Sequence, residues 1–125
     1  MSLNPNSTNI PYTLGRLFSV LEDIQSSATP GINSTIKDRY FNGASATPSH
    51  IFPVLTNLAQ KHLRKLDPKV QIYYSKQLAE LMDKLGEAYP THLNLPQQGT
   101  FQLGYYQQKQ ARYQKHTNKE EEENA

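Results

Sequence analysis

The chain has 125 residues, no cysteine and no tryptophan, and 13 Lys or Arg against 11 Asp or Glu, for a formal net charge of +2. That length holds one domain with one modest core and excludes two comfortable ones. The lack of cysteine excludes disulfides and thiolate metal centres and points to a reducing, cytoplasmic setting.

The charge is unevenly placed. Four acids form the run Glu120 to Glu123, so residues 1–119 hold all 13 basic groups against the remaining seven acids, a body charge of +6. A hydrophobic share of 36% and a mean hydropathy of −0.73 are lean for a free-standing globule, so a partner is expected to cover part of the surface.

The opening MSLNPNSTNIP has neither a charged n-region nor an apolar run and does not read as a signal peptide. Residues 1–11 are read as an extension. The first helix is predicted over 12–26, with Leu14, Leu17, Phe18, Leu21 and Ile24 on one face and Arg16, Glu22 and Asp23 off it. SSATPGIN, 26–33, breaks it with Pro30 and Gly31.

A second helix opens at Ser34 or Thr35, where Asp38 three residues after Thr35 completes a capping box. It runs through Ile36, Tyr40 and Phe41 and weakens in NGASA, 42–46. Thr47 then Pro48 form an N-cap and first-turn proline pair. Helix three, about 48–66, carries Ile51, Leu55, Leu58, His62 and Leu66 on one stripe, flanked by Phe52, Ala59 and Leu63, with Lys61 and Arg64 projecting elsewhere. Pro53 lies close enough to the start to be tolerated.

Asp67 and Pro68 repeat the start signal. Helix four, about 68–85, is expected to bury Val70, Tyr74, Leu78, Leu81, Met82 and Leu85 and to expose Lys69, Lys76, Glu80 and Asp83, with Gly86 ending it. Asn94 and Pro96 announce helix five, about 96–116, and residues 117–125 read as a disordered acidic tail. Strand and hairpin signals are poor, and no stretch approaches the roughly 18 continuous apolar residues of a membrane span. The fold class is all-α, a single-domain bundle of about five helices over 12–116.

Catalytic patterns are missing. His50, His62, His92 and His116 contain no i, i+4 pair, so no metal site is expected, and His62 on its apolar stripe reads as a core histidine. Gly43, Gly99 and Gly104 are isolated, without the close spacing of a phosphate-cradling loop. The Gly-x-Ser-x-Gly elbow is absent too. Neither enzyme activity nor a cofactor is expected.

Two basic, acid-poor segments stand out instead. KHLRK, 61–65, with Lys69 places four cations in nine residues, with Asp67 the only acid. LGYYQQKQARYQK, 103–115, holds Tyr105, Tyr106, Tyr113, Lys109, Arg112 and Lys115 with no acid at all. Taken one at a time, Tyr105 and Tyr106 read as core residues whose hydroxyls reach the edge, and Gly104 with Ala111 forms a narrow strip suited to close helix packing. Two such patches on one small domain point to nucleic-acid backbone, held by cations without base reading.

The runs YTLGRLFSVLE at 12–22, INSTIKDRYFNGASATPSHIFP at 32–53 and FQLGYYQQKQARY at 101–113 together resemble the C-terminal domain of the large subunit of type I-C CRISPR Cascade. The chain lacks the longer N-terminal part of that subunit and looks like the separately made small subunit, which is similar to this domain. The opening Met-Ser-Leu-Asn fits an internal start or an excised domain.

The resemblance implies a non-catalytic helical bundle along the belly of the surveillance complex. It implies as partners the Cascade backbone and large subunits, further copies of the chain, the guide RNA, and target DNA with its displaced single strand; no membrane partner is expected. Candidate phosphate contacts are Lys61, Arg64, Lys65, Lys109, Arg112 and Lys115, with Lys37, Arg39 and Lys69 in support. The competing reading is a purely structural assembly subunit that never touches DNA.

Overall fold

A computed structural model describes the backbone of residues 2–124 and the side chains of residues 2–114. Five helices follow one another: α1 Ile10–Ala28, α2 Ile36–Ala46, α3 Pro48–Leu63, α4 Pro68–Leu85 and α5 Leu95–Asn124. Among the described residues there is no strand. The all-α bundle is thus the observed fold.

Side-chain chemistry sets most helix boundaries. The Asn9 carboxamide accepts from Tyr12 N at 3.0 Å and starts α1 two residues before the apolar periodicity begins. The Thr35–Asp38 capping box starts α2. Asn94 and Gln97 bond each other's backbone N–H reciprocally, at 2.8 and 2.9 Å, and start α5. Thr47 behaves differently from the predicted cap: its hydroxyl donates back to the Gly43 carbonyl at 3.2 Å and makes no bond forward into α3. It closes α2 with its hydroxyl while keeping the N-cap position of α3, which begins at Pro48 as the spacing predicts. Gly86, at φ 83, ends α4 in the left-handed region that favours glycine.

Helix α1 is the axis of the bundle. Every residue from Pro11 to Ile24 is buried, because α2, α3, α4 and α5 all pack on it. The polar residues Arg16, Glu22 and Asp23, off the predicted apolar face, are therefore buried as well. Phe18 sits at the centre of an aromatic cluster, edge-on to Phe41 at 5.4 Å, Tyr105 at 5.8 Å, Phe101 at 6.1 Å and Phe52 at 6.4 Å. Tyr89, in the segment before α5, stacks on Phe52 at 5.3 Å. Ser49 N and Leu93 N donate to Pro90 O and Ala46 O, which fastens that segment to the α2–α3 joint.

Interhelical bonds set the directions. Ser27 Oγ lies 2.9 Å from Tyr74 OH, and Lys84 Nζ donates to Pro5 O, so α4 runs antiparallel to α1. Gly15 meets Phe101 and Asp23 meets Arg112, so α5 runs in the same sense as α1. Thr35 Oγ1 bonds Glu22, and Ile36 N bonds Gln25, so α2 starts beside the last turns of α1. The α3–α4 corner, the start of α2 and the later turns of α5 thus gather towards the C-terminal end of α1. All nine candidate basic residues come from those segments.

Two sequence expectations shift. Val70 and Met82, placed in the core by periodicity, are exposed. Helix α4 packs chiefly on α1, so the centre of its apolar arc, at Tyr74, Leu81 and Leu85, is buried and Leu78 is half-covered. The helical backbone of α5 continues to Asn124, through the segment expected as a tail. The side chains there lie outside the described residues.

The α1–α5 contact is unusually close. A methyl group on Gly15 would lie 1.9 Å from Phe101 O, and one on Gly104 would lie 2.1 Å from Tyr12 O. Backbone meets backbone at both points, so a side chain forces the helices apart, at a cost of about 1–3 kcal/mol or more. Gly99, on the same helix, has nothing within 4 Å of such a methyl. Gly104→Ala should therefore lower the thermal midpoint by several degrees. Gly99→Ala should raise it, since alanine gains about 1 kcal/mol of helix propensity over glycine. Melting followed by circular dichroism checks this, and like responses at the two positions would contradict the close contact.

Candidate nucleic-acid interface

The nine candidate cations divide into three environments. At the α3–α4 corner, Lys61, Arg64, Lys65 and Lys69 are all exposed. The helices position them in sequence: Lys61 rides the last turn of α3, Arg64 is its C-cap, and Lys69 follows Pro68 in the first turn of α4. The one acid nearby, Asp67, caps α4 by accepting from Lys69 N at 3.4 Å. Among the described residues, none of these four cations has a carboxylate within 4.0 Å. His62, half-buried among them, has its pKa lowered by burial and by Lys65, so it stays neutral beside the cations.

On α5 the environment is the opposite. Lys109 Nζ lies 3.6 Å from Glu22 Oε1, and Arg112 Nη1 lies 2.5 Å from Asp23 Oδ1. The compensating carboxylates missing from the local sequence arrive from α1. Glu22 also accepts from the Thr35 hydroxyl at 2.6 Å and from the buried Tyr105 hydroxyl. Burial pushes the Tyr105 hydroxyl pKa up, and Glu22 adds to it, so Tyr105 keeps its proton and donates the hydrogen bond to Glu22. Lys109 and Arg112 are therefore parts of an internal network, with half-open outer edges. Lys115 lies outside the described side chains.

The third environment joins α2 to α5. Lys37 Nζ is 3.0 Å from the Tyr106 hydroxyl and stands over three rings, at 5.0 Å from Tyr106, 5.4 Å from Tyr105 and 5.8 Å from Phe41. The hydrogen bond to Tyr106 raises the Lys37 pKa, so it remains an ammonium. Tyr105 and Tyr106 part company here: Tyr105 is fully buried, whereas Tyr106 is 51% exposed and not the core residue expected. Arg39 is exposed, its guanidinium 5.9 Å from the Tyr40 ring, while Asp38 is occupied with Thr35 N and Ser34.

Sequence reasoning missed Arg16, Glu22 and Asp23 as functional partners of α5. The signal that could have found them is complementarity, an adjacent acid pair on one predicted helix and an acid-free basic stretch on another. Arg16 bonds Gln108 through Nε at 2.9 Å and is buried, which lowers its pKa; its Nη1 has no hydrogen-bond partner among the described residues. With Tyr73, Tyr74, Glu80 and Arg112 it lines a cavity of about 250 Å³ between α1, α4 and α5. Asp23 and Glu80 balance the two guanidinium groups there, so the cavity adds no positive field. Among the described residues, no group of three or more His, Asp or Glu converges to hold a metal ion. No helix there is long and apolar enough to cross a membrane.

Burial pushes the Asp23 carboxyl up to about 6, against the pull of Arg112. A carboxyl whose folded pKa exceeds its unfolded value of 3.8 adds stability at low pH and loses that contribution as pH rises through about 4 to 6. Arg112 limits the loss. Arg112→Ala should thus cost more at pH 8, about 2 kcal/mol from the buried unpaired charge, than at pH 5, where Asp23 protonates. Urea unfolding at the two pH values measures the difference, and equal costs would show that the pair is fully hydrated.

No curated protein matches the chain. The family model for CRISPR-associated protein (Cas_Csd1) matches residues 1–113, which take in α1 to α4, the α3–α4 corner and the part of α5 that carries Tyr106, Lys109 and Arg112. A match that includes every element packed around α1 is one to the whole folded unit, and the chain belongs to the CRISPR-associated Cas_Csd1 family.

Proposed function

We propose that the chain is the non-catalytic small subunit of a type I-C CRISPR surveillance complex, Cascade, and that it steadies the R-loop by holding nucleic-acid backbone, the displaced non-target strand in particular. One observation carries the reading. The α3–α4 corner presents Lys61, Arg64, Lys65 and Lys69 to solvent with no carboxylate within 4.0 Å among the described residues. Mobile ammonium groups and an exposed guanidinium on helix ends suit the repeating charge of a phosphate chain and read no base sequence. Lys37 and Arg39 extend that surface from the start of α2. Lys109 and Arg112, matched within the fold, contribute only their outer edges.

Neutralising three to five phosphates of a single strand gives a slope of about −2 to −3.5 for log affinity against log salt. Binding by the isolated chain is accordingly weak, and the assembled complex supplies the rest through effective concentration. Cleavage, on this reading, belongs to another protein.

A second reading, a pure assembly subunit, draws on α4. Its outward face leaves Ile72 and Met82 exposed, apolar surface of the kind a neighbouring subunit covers. The charge reversal Lys61→Glu with Arg64→Glu separates the two. Nucleic-acid holding predicts an intact fold, normal assembly, a shorter R-loop lifetime and a salt slope shallower by about 1 to 1.5. Unchanged retention of target DNA across a salt series, together with less assembled complex, would favour the scaffold.

A further inference from the structure

The solvent face of α5 repeats an acid-free, aromatic pattern. Leu95, Leu103, Tyr106 and Tyr113 are exposed along it, separated by Gly99, Gln102 and Gln110. Positions 95, 106 and 113 recur within about 20° on a helical wheel, and Tyr106 and Tyr113 lie two turns, roughly 11 Å, apart. The sequence holds no acid between Glu87 and Glu120. Most exposed helix faces carry charges of both signs, and this one carries aromatic rings and amides, with Lys109 between Tyr106 and Tyr113 drawn inward to Glu22.

The fixed cation beside it decides what chemistry fits. Lys37 reaches across from α2 and is held at the Tyr106 hydroxyl, 3.0 Å away, and over the ring. Tyr105, buried behind, meets the Tyr106 ring edge-on at 4.9 Å and fixes its orientation. The nearest acid on α2, Asp38, is turned into the helix cap. A half-exposed ring of fixed orientation, with an ammonium at its hydroxyl that Glu22 and Asp38 reach only at longer range and that pairs with no carboxylate within 4.0 Å among the described residues, has the two elements that an unpaired nucleotide needs. The ring face turned away from Lys37 stacks the base and the cation takes the phosphate. A duplex offers phosphates but no free base face, because its bases are already stacked.

We infer that Tyr106 is a stacking platform for an unpaired nucleobase, with Lys37 receiving the adjoining phosphate, which makes the chain prefer single strands to duplex. This rests on the nucleic-acid reading above and adds a base-dependent site to a backbone-dependent one. Lys37 keeps the Tyr106 hydroxyl with one of its three donors and offers the others outward.

The test uses the full 125-residue chain and two fluorescent oligonucleotides of equal length, an oligo-dT and an abasic strand with the same phosphates. Stacking on alanine-scanned platforms is worth about 1–3 kcal/mol per base. Tyr106→Leu should accordingly weaken oligo-dT binding about 5- to 100-fold, leave abasic binding unchanged and leave the salt slope unchanged. Tyr106→Phe should restore most of the loss, and Lys37→Ala should flatten the salt slope by about 0.7.

Circular dichroism confirms that the variants are folded, as a half-exposed position permits. If Tyr106→Leu weakens oligo-dT and abasic strands alike, or neither, while Lys61→Glu with Arg64→Glu weakens both, the platform is overturned and the backbone reading stands. If the wild-type chain binds neither strand even at low salt, the backbone reading falls as well. If Tyr106→Leu instead impairs only assembly with other subunits, the stripe is a protein contact and the inference fails.

Discussion

The backbone contact between α1 and α5 at Gly15 and Gly104 governs the rest of the structure. With no side chain at either point, the two helices approach until Phe101 O and Tyr12 O occupy the space that methyl groups would fill. That separation is what lets Tyr12 reach Gln107, Arg16 reach Gln108, Glu22 reach Tyr105 and Asp23 reach Arg112. It also leaves room for α2, α3 and α4 to close around α1, which turns an amphipathic helix into a fully enclosed one. A polar stripe that would otherwise face water becomes a buried network, tolerable because most of its members find partners.

Charge is partitioned by that arrangement. The acids of α1 are used inside, where they tie α5 and the start of α2 to the axis, and only Glu22 acts beyond that network, at longer range on Lys37. The cations of α5 are drawn inward in turn. The cations of the α3–α4 corner have no such partner and sit on short, exposed helix ends, where a polyanion can meet several at once. The body charge of +6 is therefore less evenly spread than composition alone implies. Structural cations lie along α5 and presented ones lie at the corner and around Lys37. Membership of a CRISPR-associated family gives that surface a natural ligand class in the proposed reading.

Much of the fold could be read in the sequence, because its signals are local. The Thr35–Asp38 capping box, the Asp67–Pro68 and Asn94–Pro96 starts and the Gly86 stop are each decided by a few neighbouring residues, and each sits where the spacing puts it. Five helices in the predicted order followed from them. What could not be read was which helix is central. That depends on all the others at once, and it is why Arg16, Glu22 and Asp23 are buried, why Val70 and Met82 are not, and why the acid-free segment of α5 has acids after all. The two tyrosines 105 and 106 show the same limit: adjacent on a helix, they point 100° apart, and only the packing of Phe18 and Phe41 says which one is enclosed.

Whether the corner cations meet nucleic acid is decided by a photoreactive residue at position 65 in the assembled, target-bound complex. Crosslinks to the displaced strand, dependent on R-loop formation and lost at high salt, are expected. Crosslinks to protein subunits alone, with the strand unlabelled, would contradict that contact.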